Sequence, residues 1–191
     1  KAVPGVASPV RATVLQAGER AALFVQDLDG TLTGRWVGAS LVAEAESPLA
    51  EDVVRFGVAH WGDRQVLASC EDDALWVRTL EDFATTDVVV LDQGCGLEAN
   101  PSIAAGDALL AVAWHDGGHA WLSFFDADLR EVEQHDLGWD APYPEVTWDG
   151  RQFWAIDFSG AVRSWRDAGE PAESYRHPHP PPTGGEPSCL R

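Results

Sequence analysis

The residues best suited to metal or acid–base chemistry lie in one short segment, His115-Asp116-Gly117-Gly118-His119. Two histidines and a carboxylate are typical metal ligands, and histidine beside aspartate is a common acid–base pair. The segment offers no third ligand within sequence reach, and glycines between polar residues are also typical of a hairpin turn. We therefore interpret it as a polar turn and keep His115, Asp116 and His119 as candidate ligand-binding residues.

A second candidate, Asp27-Leu28-Asp29-Gly30, resembles the start of a calcium loop, in which alternate carboxylates point at one hard cation. The later ligands of such a loop are missing, because threonines occupy positions 31 and 33. Asp-Gly is also a common turn pair. The sequence favours a plain turn, leaves Asp27 and Asp29 as the candidate calcium site, and indicates no other cofactor.

Motifs of nucleophilic or nucleotide chemistry are absent from the sequence. Ser102, Ser123 and Ser159 lie in no Gly-x-Ser-x-Gly pattern, and neither a Walker nor a Rossmann glycine loop is present. A hydrolase or lyase would have to use paired carboxylates such as Asp72 and Asp116, which no spacing singles out. The sequence therefore favours a non-catalytic protein.

Composition and charge narrow the class of partner. The 191 residues include 13 Lys and Arg against 31 Asp and Glu, a net charge of −18, with 45% apolar residues. This charge disfavours nucleic acid and anionic membranes, because each phosphate contact would begin with repulsion. No apolar run approaches the roughly 20 residues of a membrane helix.

The chain has no Met and begins at Lys1, which predicts a removed signal peptide and an extracytoplasmic location, unless its ends are artificial.

Three cysteines, Cys70, Cys95 and Cys189, match no zinc spacing. In an extracytoplasmic protein this odd number predicts one disulfide and a third thiol that is free or bonded to another chain. Three reduced cysteines in a cytosolic protein are the alternative.

Four glycines recur at one interval: 62 − 18, 106 − 62 and 150 − 106 are all 44. Each glycine lies in a turn-forming segment and is followed by an apolar run, then an acidic turn, then a third extended segment that usually carries tryptophan. The apolar runs are Ala21–Val25, Val66–Ala68, Leu109–Trp114 and Phe153–Ile156. The repeat predicts units of four short strands in about 44 residues, without helix-length periodicity.

Tandem units of four antiparallel strands resemble the blades of a β-propeller. The resemblance covers about residues 8 to 177 and matches hemopexin-like propellers in size only, without a specific family motif. It implies an all-β fold of four four-stranded blades, closed on itself or forming half of an eight-blade ring by dimerisation. A β-sandwich is the alternative. In a propeller, we expect repeat-equivalent tryptophans to pack between blades: Trp36, Trp76, Trp114, Trp121, Trp154 and Trp165.

The propeller topology places the turns after the second strands and the linkers between blades on one face. That acidic face would carry the candidate ligand-binding residues Asp72, Asp73, His115, Asp116, His119, Trp139 and Tyr143. Exposed aromatics beside carboxylates suit a carbohydrate or a cationic ligand. Cys70 and Cys95 belong on the same face, so we predict a disulfide between them, with Cys95–Cys189 as the rival pairing.

The predicted organisation is a lead at 1–7, a propeller at 8–177 and a Pro-rich tail at 178–191. The predicted blades are 8–50, 51–99, 100–142 and 143–177. Consecutive prolines and Gly-Gly make the tail an extended arm, in which Cys189 could join another chain.

Together these features predict a secreted or periplasmic binding or scaffold module that engages a protein through its acidic face. The alternatives are a carbohydrate-binding, lectin-like propeller using Trp139 and Tyr143, and an accessory subunit of a larger extracytoplasmic complex. A hydrolase or lyase is disfavoured. Expected partners are a protein or glycan, and a homodimer or a chain linked through Cys189 stays open.

Overall fold

The structure, a computed structural model, describes residues 11–40, 43–91, 94–95, 101–138, 143–156, 161–166 and 171–176, with residues 161 and 171–176 described by their backbone only. Sixteen strands account for most of these residues, so the all-β prediction is confirmed. No helix able to cross a bilayer occurs within these ranges. The strands are β1 (Arg11–Ala17), β2 (Arg20–Gln26), β3 (Leu32–Val37), β4 (Ser47–Ala50), β5 (Val53–Trp61), β6 (Arg64–Glu71), β7 (Ala74–Glu81), β8 (Ala84–Leu91), β9 (Ser102–Ala105), β10 (Leu110–His115), β11 (Ala120–Phe125), β12 (Glu131–Asp136), β13 (Glu145–Trp148), β14 (Gln152–Ile156), β15 (Ala161–Arg166) and β16 (Pro171–Arg176).

The strands form four antiparallel sheets in chain order, β1–β4, β5–β8, β9–β12 and β13–β16, which we call sheets 1 to 4. The first strands of neighbouring sheets touch, β1 with β5, β5 with β9 and β9 with β13, so they line the inside of the array. The fourth strand of each sheet is its outer edge. Within the described ranges, β13 makes no comparable contact with β1.

Three apolar layers hold neighbouring sheets together. Phe24 of sheet 1 packs with Phe56 and Leu67 of sheet 2. Further layers join sheet 2 to sheet 3 and sheet 3 to sheet 4. Burying one such side chain contributes about 1.5–3 kcal/mol, so these layers rather than the hairpins alone keep the sheets in place.

One glycine is required by the close approach of two inner strands. A β-carbon on Gly57 of β5 would overlap the carbonyl oxygen of Pro101, which precedes β9. Sheets 2 and 3 therefore meet backbone to backbone near their inner strands, and any larger residue at this position would push them apart.

Residues 44 positions apart in the sequence do not always lie on the same face of their sheets. Leu67 points toward sheet 1, but Ala111, 44 residues later, points toward sheet 4. The reason is turn length: β5 and β6 are joined by Gly62 and Asp63, whereas residues 106–109 join β9 to β10. A shift of one residue exchanges the two faces of a strand.

The tryptophans divide between the faces of the sheets. Trp114 and Trp165 are buried between sheets, and Trp36 contacts Phe83 of the next sheet, as expected. Trp154 is an exception, because it lies on the opposite face of β14 from the residues that pack on sheet 3.

Candidate functional site

The two ends of the sheets carry different sets of loops. Contacts between sheets show which loops share an end: Val53 N–H donates to the Gly30 carbonyl at 2.9 Å, and Gly94 lies beside Asp73 and Asp116. We call this the acidic end, formed by turns 27–31, 72–73 and 116–119 and connections 51–52, 94–95, 137–138 and 143–144. The opposite, glycine-turn end is formed by turns 18–19, 62–63, 82–83, 106–109, 126–130 and 149–151.

A disulfide between Cys70 and Cys95 anchors the acidic end. Cys70 lies in β6 and Cys95 in the connection to sheet 3, with 25 residues of sequence separation and Cα atoms 5.5 Å apart. Both side chains are buried. This is the first of the two pairings that the sequence left open, and Cys189 lies outside the described residues. The bond fixes the connection against the end of β6.

Beside the disulfide, Gly94 brings turns of two sheets together. Its φ is +75°, a conformation that favours glycine. A β-carbon placed on it would lie 3.6 Å from Cβ of Asp116 and 3.9 Å from the carbonyl oxygen of Asp73. The turn of sheet 2 and the turn of sheet 3 therefore lie on either side of one connection.

Asp72 and Asp73 form the turn between β6 and β7. Their φ angles are +48° and +63°, which is the type I′ geometry that closes a two-residue hairpin. Both side chains are exposed. Two adjacent carboxylates therefore project from the acidic end, and aspartate tolerates the left-handed backbone that this turn demands.

Asp116 organises the turn of sheet 3. Its Oδ1 accepts the backbone N–H groups of Gly118 and His119 at 2.8 and 2.7 Å, and its Oδ2 accepts the indole N–H of Trp121 at 2.7 Å. Burial by itself would raise the pKa of Asp116, but these hydrogen bonds outweigh it and the pKa is lowered. Asp116 is therefore a fixed anion.

His119 faces a second carboxylate, Asp136 at the end of β12. His119 Nδ1 and Asp136 Oδ2 are 3.1 Å apart, and both side chains are well exposed. The pKa of Asp136 is lowered, first by the backbone N–H of Gly138 and then by the bond to His119. Nothing in the sequence singled out Asp136, which lies 17 residues from its histidine partner.

His115 is not grouped with His119. It is buried at the end of β10, where its Nδ1 accepts the N–H of Gly117 at 3.0 Å. Its Nε2 is buried without a hydrogen-bond partner. Within the described residues, no three His, Cys, Asp or Glu side chains converge as metal ligands.

The Asp27–Gly30 segment is closed by its own hydrogen bonds. Asp29 Oδ1 accepts the N–H of Thr31 at 3.0 Å, and Gly30 N–H donates to the Asp27 carbonyl at 3.2 Å. The bond from Thr31 is the main reason that the pKa of Asp29 is lowered. These bonds account for the segment as a turn, and calcium binding stays a prediction.

Of the two aromatic candidates, only Tyr143 lies within the described residues. Tyr143 precedes β13 at the acidic end and is 41% exposed. Trp139 lies outside the described residues, so their proximity stays a prediction.

One local motif can be read in the sequence but was not among the features used to predict the site. Asp149 repeats the bonding of Asp116: its Oδ1 accepts two backbone N–H groups at 2.8 and 2.9 Å, and its Oδ2 accepts the Trp154 indole N–H at 2.7 Å. Both segments read Asp-Gly-x-x-x-Trp, at 116–121 and 149–154. Because Asp149 lies at the glycine-turn end, this motif builds hairpins at either end.

The arginines distinguish the two ends more clearly than the acids do. No Arg or Lys occurs in the described turns and connections of the acidic end. The glycine-turn end carries Arg20, Arg64, Arg130 and Arg151 within or directly after its turns. Arg130 pairs with Asp128 at 2.7 Å, and Arg64 donates to the carbonyl of Ala127 at 3.1 Å. The negative charge of the acidic-end turns is thus less compensated.

No sequence-family model and no curated protein matches the chain. Solved structures do match it. Sqt1 of Saccharomyces cerevisiae superposes with a TM-score of 0.62 over 87% of this chain and 48% of its own, at 14% identity. BamB from Moraxella catarrhalis gives 0.54 over 85% and 48%, at 16% identity. The β-propeller domain of the Trilobed protease from Pyrococcus furiosus gives 0.54 over 87% and 58%, at 14% identity.

These likenesses establish the fold. The chain is a β-propeller repeat protein, as its repeat predicted. It spans about half the length of the Sqt1 and BamB chains.

Proposed function

We propose that this propeller is a non-catalytic binding or scaffold module that engages a basic protein partner through its acidic end. The observation that carries the proposal is the charge distribution: exposed carboxylates project from turns in which the described residues include no arginine or lysine. Such a surface attracts cationic partners and accelerates their association.

The acidic end is also preorganised. The Cys70–Cys95 disulfide, the Gly94 approach and the hydrogen bonds of Asp116 fix the turns of sheets 2 and 3 relative to each other. A surface held in this way loses little conformational entropy when a partner binds. The rigidity of these turns supports their proposed role in binding a cationic surface of a partner, whether that surface is folded or extended.

The test uses a labelled peptide of alternating lysine and proline, a cationic probe whose proline nitrogens cannot form strand hydrogen bonds. The double substitution Asp72→Asn with Asp73→Gly removes two charges and keeps a favourable type I′ turn. We expect fluorescence anisotropy at low salt to show binding weakened about fivefold, corresponding to roughly 0.5 kcal/mol per charge.

The matched control removes two charges from the glycine-turn end, Asp63→Asn with Asp107→Asn. It should weaken binding less than twofold. Equal weakening by both variants would show that only the net charge matters, and binding insensitive to salt would remove the electrostatic basis of the proposal.

We also propose an extracytoplasmic location, supported by the disulfide, since such bonds persist mainly in oxidising compartments. Alkylation of the protein in its native source without reductant, followed by intact-mass analysis, checks this location. Free thiols at Cys70 and Cys95 would contradict it.

A carbohydrate-binding function is the second candidate, favoured by the exposure of Tyr143. A glycan array supplies the test, with Tyr143→Ala and Trp139→Ala as variants. Hits that both variants lose would favour the lectin, and an array without hits would remove it.

A further inference from the structure

The outer edge of sheet 2 differs from the other described edges. β8 is eight residues long, and residues 84–90 are exposed or half-buried. The outer strand of sheet 1, β4, has four residues and contains Pro48, and the outer strand of sheet 3, β12, carries Glu131 and Glu133. Proline and charges are the usual protection of a strand edge, whereas β8 ends in Val88-Val89-Val90-Leu91.

The valines of β8 divide between two faces. Val89 packs against the layer between sheets 2 and 3. Val88 and Val90 lie on the other face, opposite Arg78 and Trp76 of β7, and are 51% and 42% exposed. An apolar stripe with a spacing of two residues therefore runs along an edge whose outward backbone groups pair with no other strand among the described residues.

We propose that β8 pairs with an extended segment of a partner protein, which adds a fifth strand to sheet 2. The segment has apolar side chains at alternate positions, facing Val88 and Val90, and lysine or arginine at the positions between them, facing Asp87. Backbone hydrogen bonds supply affinity in this mode, and the alternate side chains supply specificity.

Charge selects this occupant over a second copy of the chain. Asp87 lies on β8, and Glu81 and Asp82 lie just before this strand. All three residues are exposed, so the edge carries negative charge. Arg78, the β7 residue that pairs with Val88, already donates to Glu71 at 2.5 and 2.7 Å. Two copies would each bring a net charge of −18, whereas a cationic segment is attracted.

The experiment uses the full chain and a labelled peptide of four Val-Lys repeats. Replacing both exposed valines, Val88→Lys with Val90→Lys, should weaken binding at least about tenfold, because two apolar contacts are lost and two cations face a cationic ligand. The matched control is Val132→Lys on β12, where the valine is also 51% exposed, and it should change binding less than twofold. Circular dichroism melting confirms that all variants fold.

A second peptide separates strand pairing from charge attraction. N-methylation of all its residues keeps charge and side chains but removes every backbone N–H donor, so it should abolish most of the binding. Hydrogen exchange should show new protection of amides in residues 84–91 when the unmodified peptide binds. Equal binding of the methylated peptide, or protection elsewhere, would overturn the proposal.

Sedimentation of the chain alone provides the remaining outcome. If the chain is a dimer and the double substitution Val88→Lys with Val90→Lys makes it monomeric, the proposal is overturned and a second copy is the occupant of the edge. The Asp72→Asn, Asp73→Gly variant should retain Val-Lys binding to within about twofold, so this proposal and that for the acidic end can fail separately.

Discussion

The acidic end and the glycine-turn end of the sheets each contain a turn stabilised by the same hydrogen bonds, but the two turns have different surroundings. Asp116 and Asp149 hold their turns with the same hydrogen bonds, two from the backbone and one from a tryptophan indole. Asp116 lies beside Gly94 and the neighbouring turn of sheet 2. Asp149 instead is followed by Arg151 within its own turn.

Acidic turns therefore do not by themselves distinguish the proposed binding end from the opposite end. Carboxylates occur at both ends, and what separates the ends is the placement of arginines and of the connections between sheets. An arginine next to a carboxylate lowers the local field, so we expect the glycine-turn end to attract cations less. Four predictions test this contrast, from the largest expected effect to the smallest.

The largest effect should come from the buried ion pair beneath the acidic end. Glu71→Gln leaves Arg78 buried without its anion, so we expect a loss of about 3 kcal/mol in the free energy of unfolding. The exposed pair at the glycine-turn end is the comparison: Arg130→Ala should cost less than about 1 kcal/mol. Urea denaturation measures both.

Replacing both partners of the buried pair, Glu71→Met with Arg78→Met, should recover much of the stability lost in Glu71→Gln. If the double variant is no more stable than the single one, the cost comes from packing and not from an unpaired charge.

Cys70→Ala with Cys95→Ala should reduce the unfolding free energy by about 3 kcal/mol, since the disulfide closes a loop of 25 residues. Hydrogen exchange should speed up in the connection at 94–95 and stay unchanged in the hairpin at 62–63. Uniform acceleration at both ends would contradict a local role for the bond.

Removing arginines from the glycine-turn end should make it resemble the acidic end. Arg130→Ala with Arg151→Ala should tighten binding of the Lys-Pro peptide about twofold to threefold at low salt. Isothermal titration should also detect a second equivalent of peptide. Unchanged affinity would show that these arginines do not screen their neighbouring carboxylates.

The smallest effect concerns pH. The pKa values of Asp136 at the acidic end and Asp149 at the glycine-turn end are both below their ordinary value of 3.8. A lowered folded-state pKa gives stability that is present above the unfolded value and is lost as pH falls through the folded value. Melting temperatures of Asp136→Asn and Asp149→Asn should therefore depend less on pH below about 4. A dependence equal to that of the parent protein would contradict these hydrogen bonds.

Much of the fold could be predicted because the repeat is local. Turn glycines, apolar runs and acidic turns each specify a hairpin within a few residues, and four hairpin units in tandem indicate a propeller. The register between units was harder to predict, because the longer turn at 106–109 exchanges the faces of β10 without altering the glycine interval. Trp154 of β14 was likewise expected between sheets, but it lies on the face opposite the residues that pack on sheet 3.

The candidate site was predictable only in outline. The topology placed Asp72, Asp73 and Asp116 at one end of the sheets, but Asp136 joins His119 through a strand pairing that no motif marks. The buried state of His115 likewise follows from packing rather than from its neighbours in sequence.

The sequence by itself determined the strands, the turns and the Asp-Gly-x-x-x-Trp hairpins, because these depend on interactions between residues a few positions apart. Only the tertiary structure decided how closely neighbouring turns approach, which strand forms the outer edge of each sheet and which carboxylates are paired. The turns of sheets 2 and 3 lie close because their chains approach at Gly57 and Gly94, through contacts between residues far apart in the sequence.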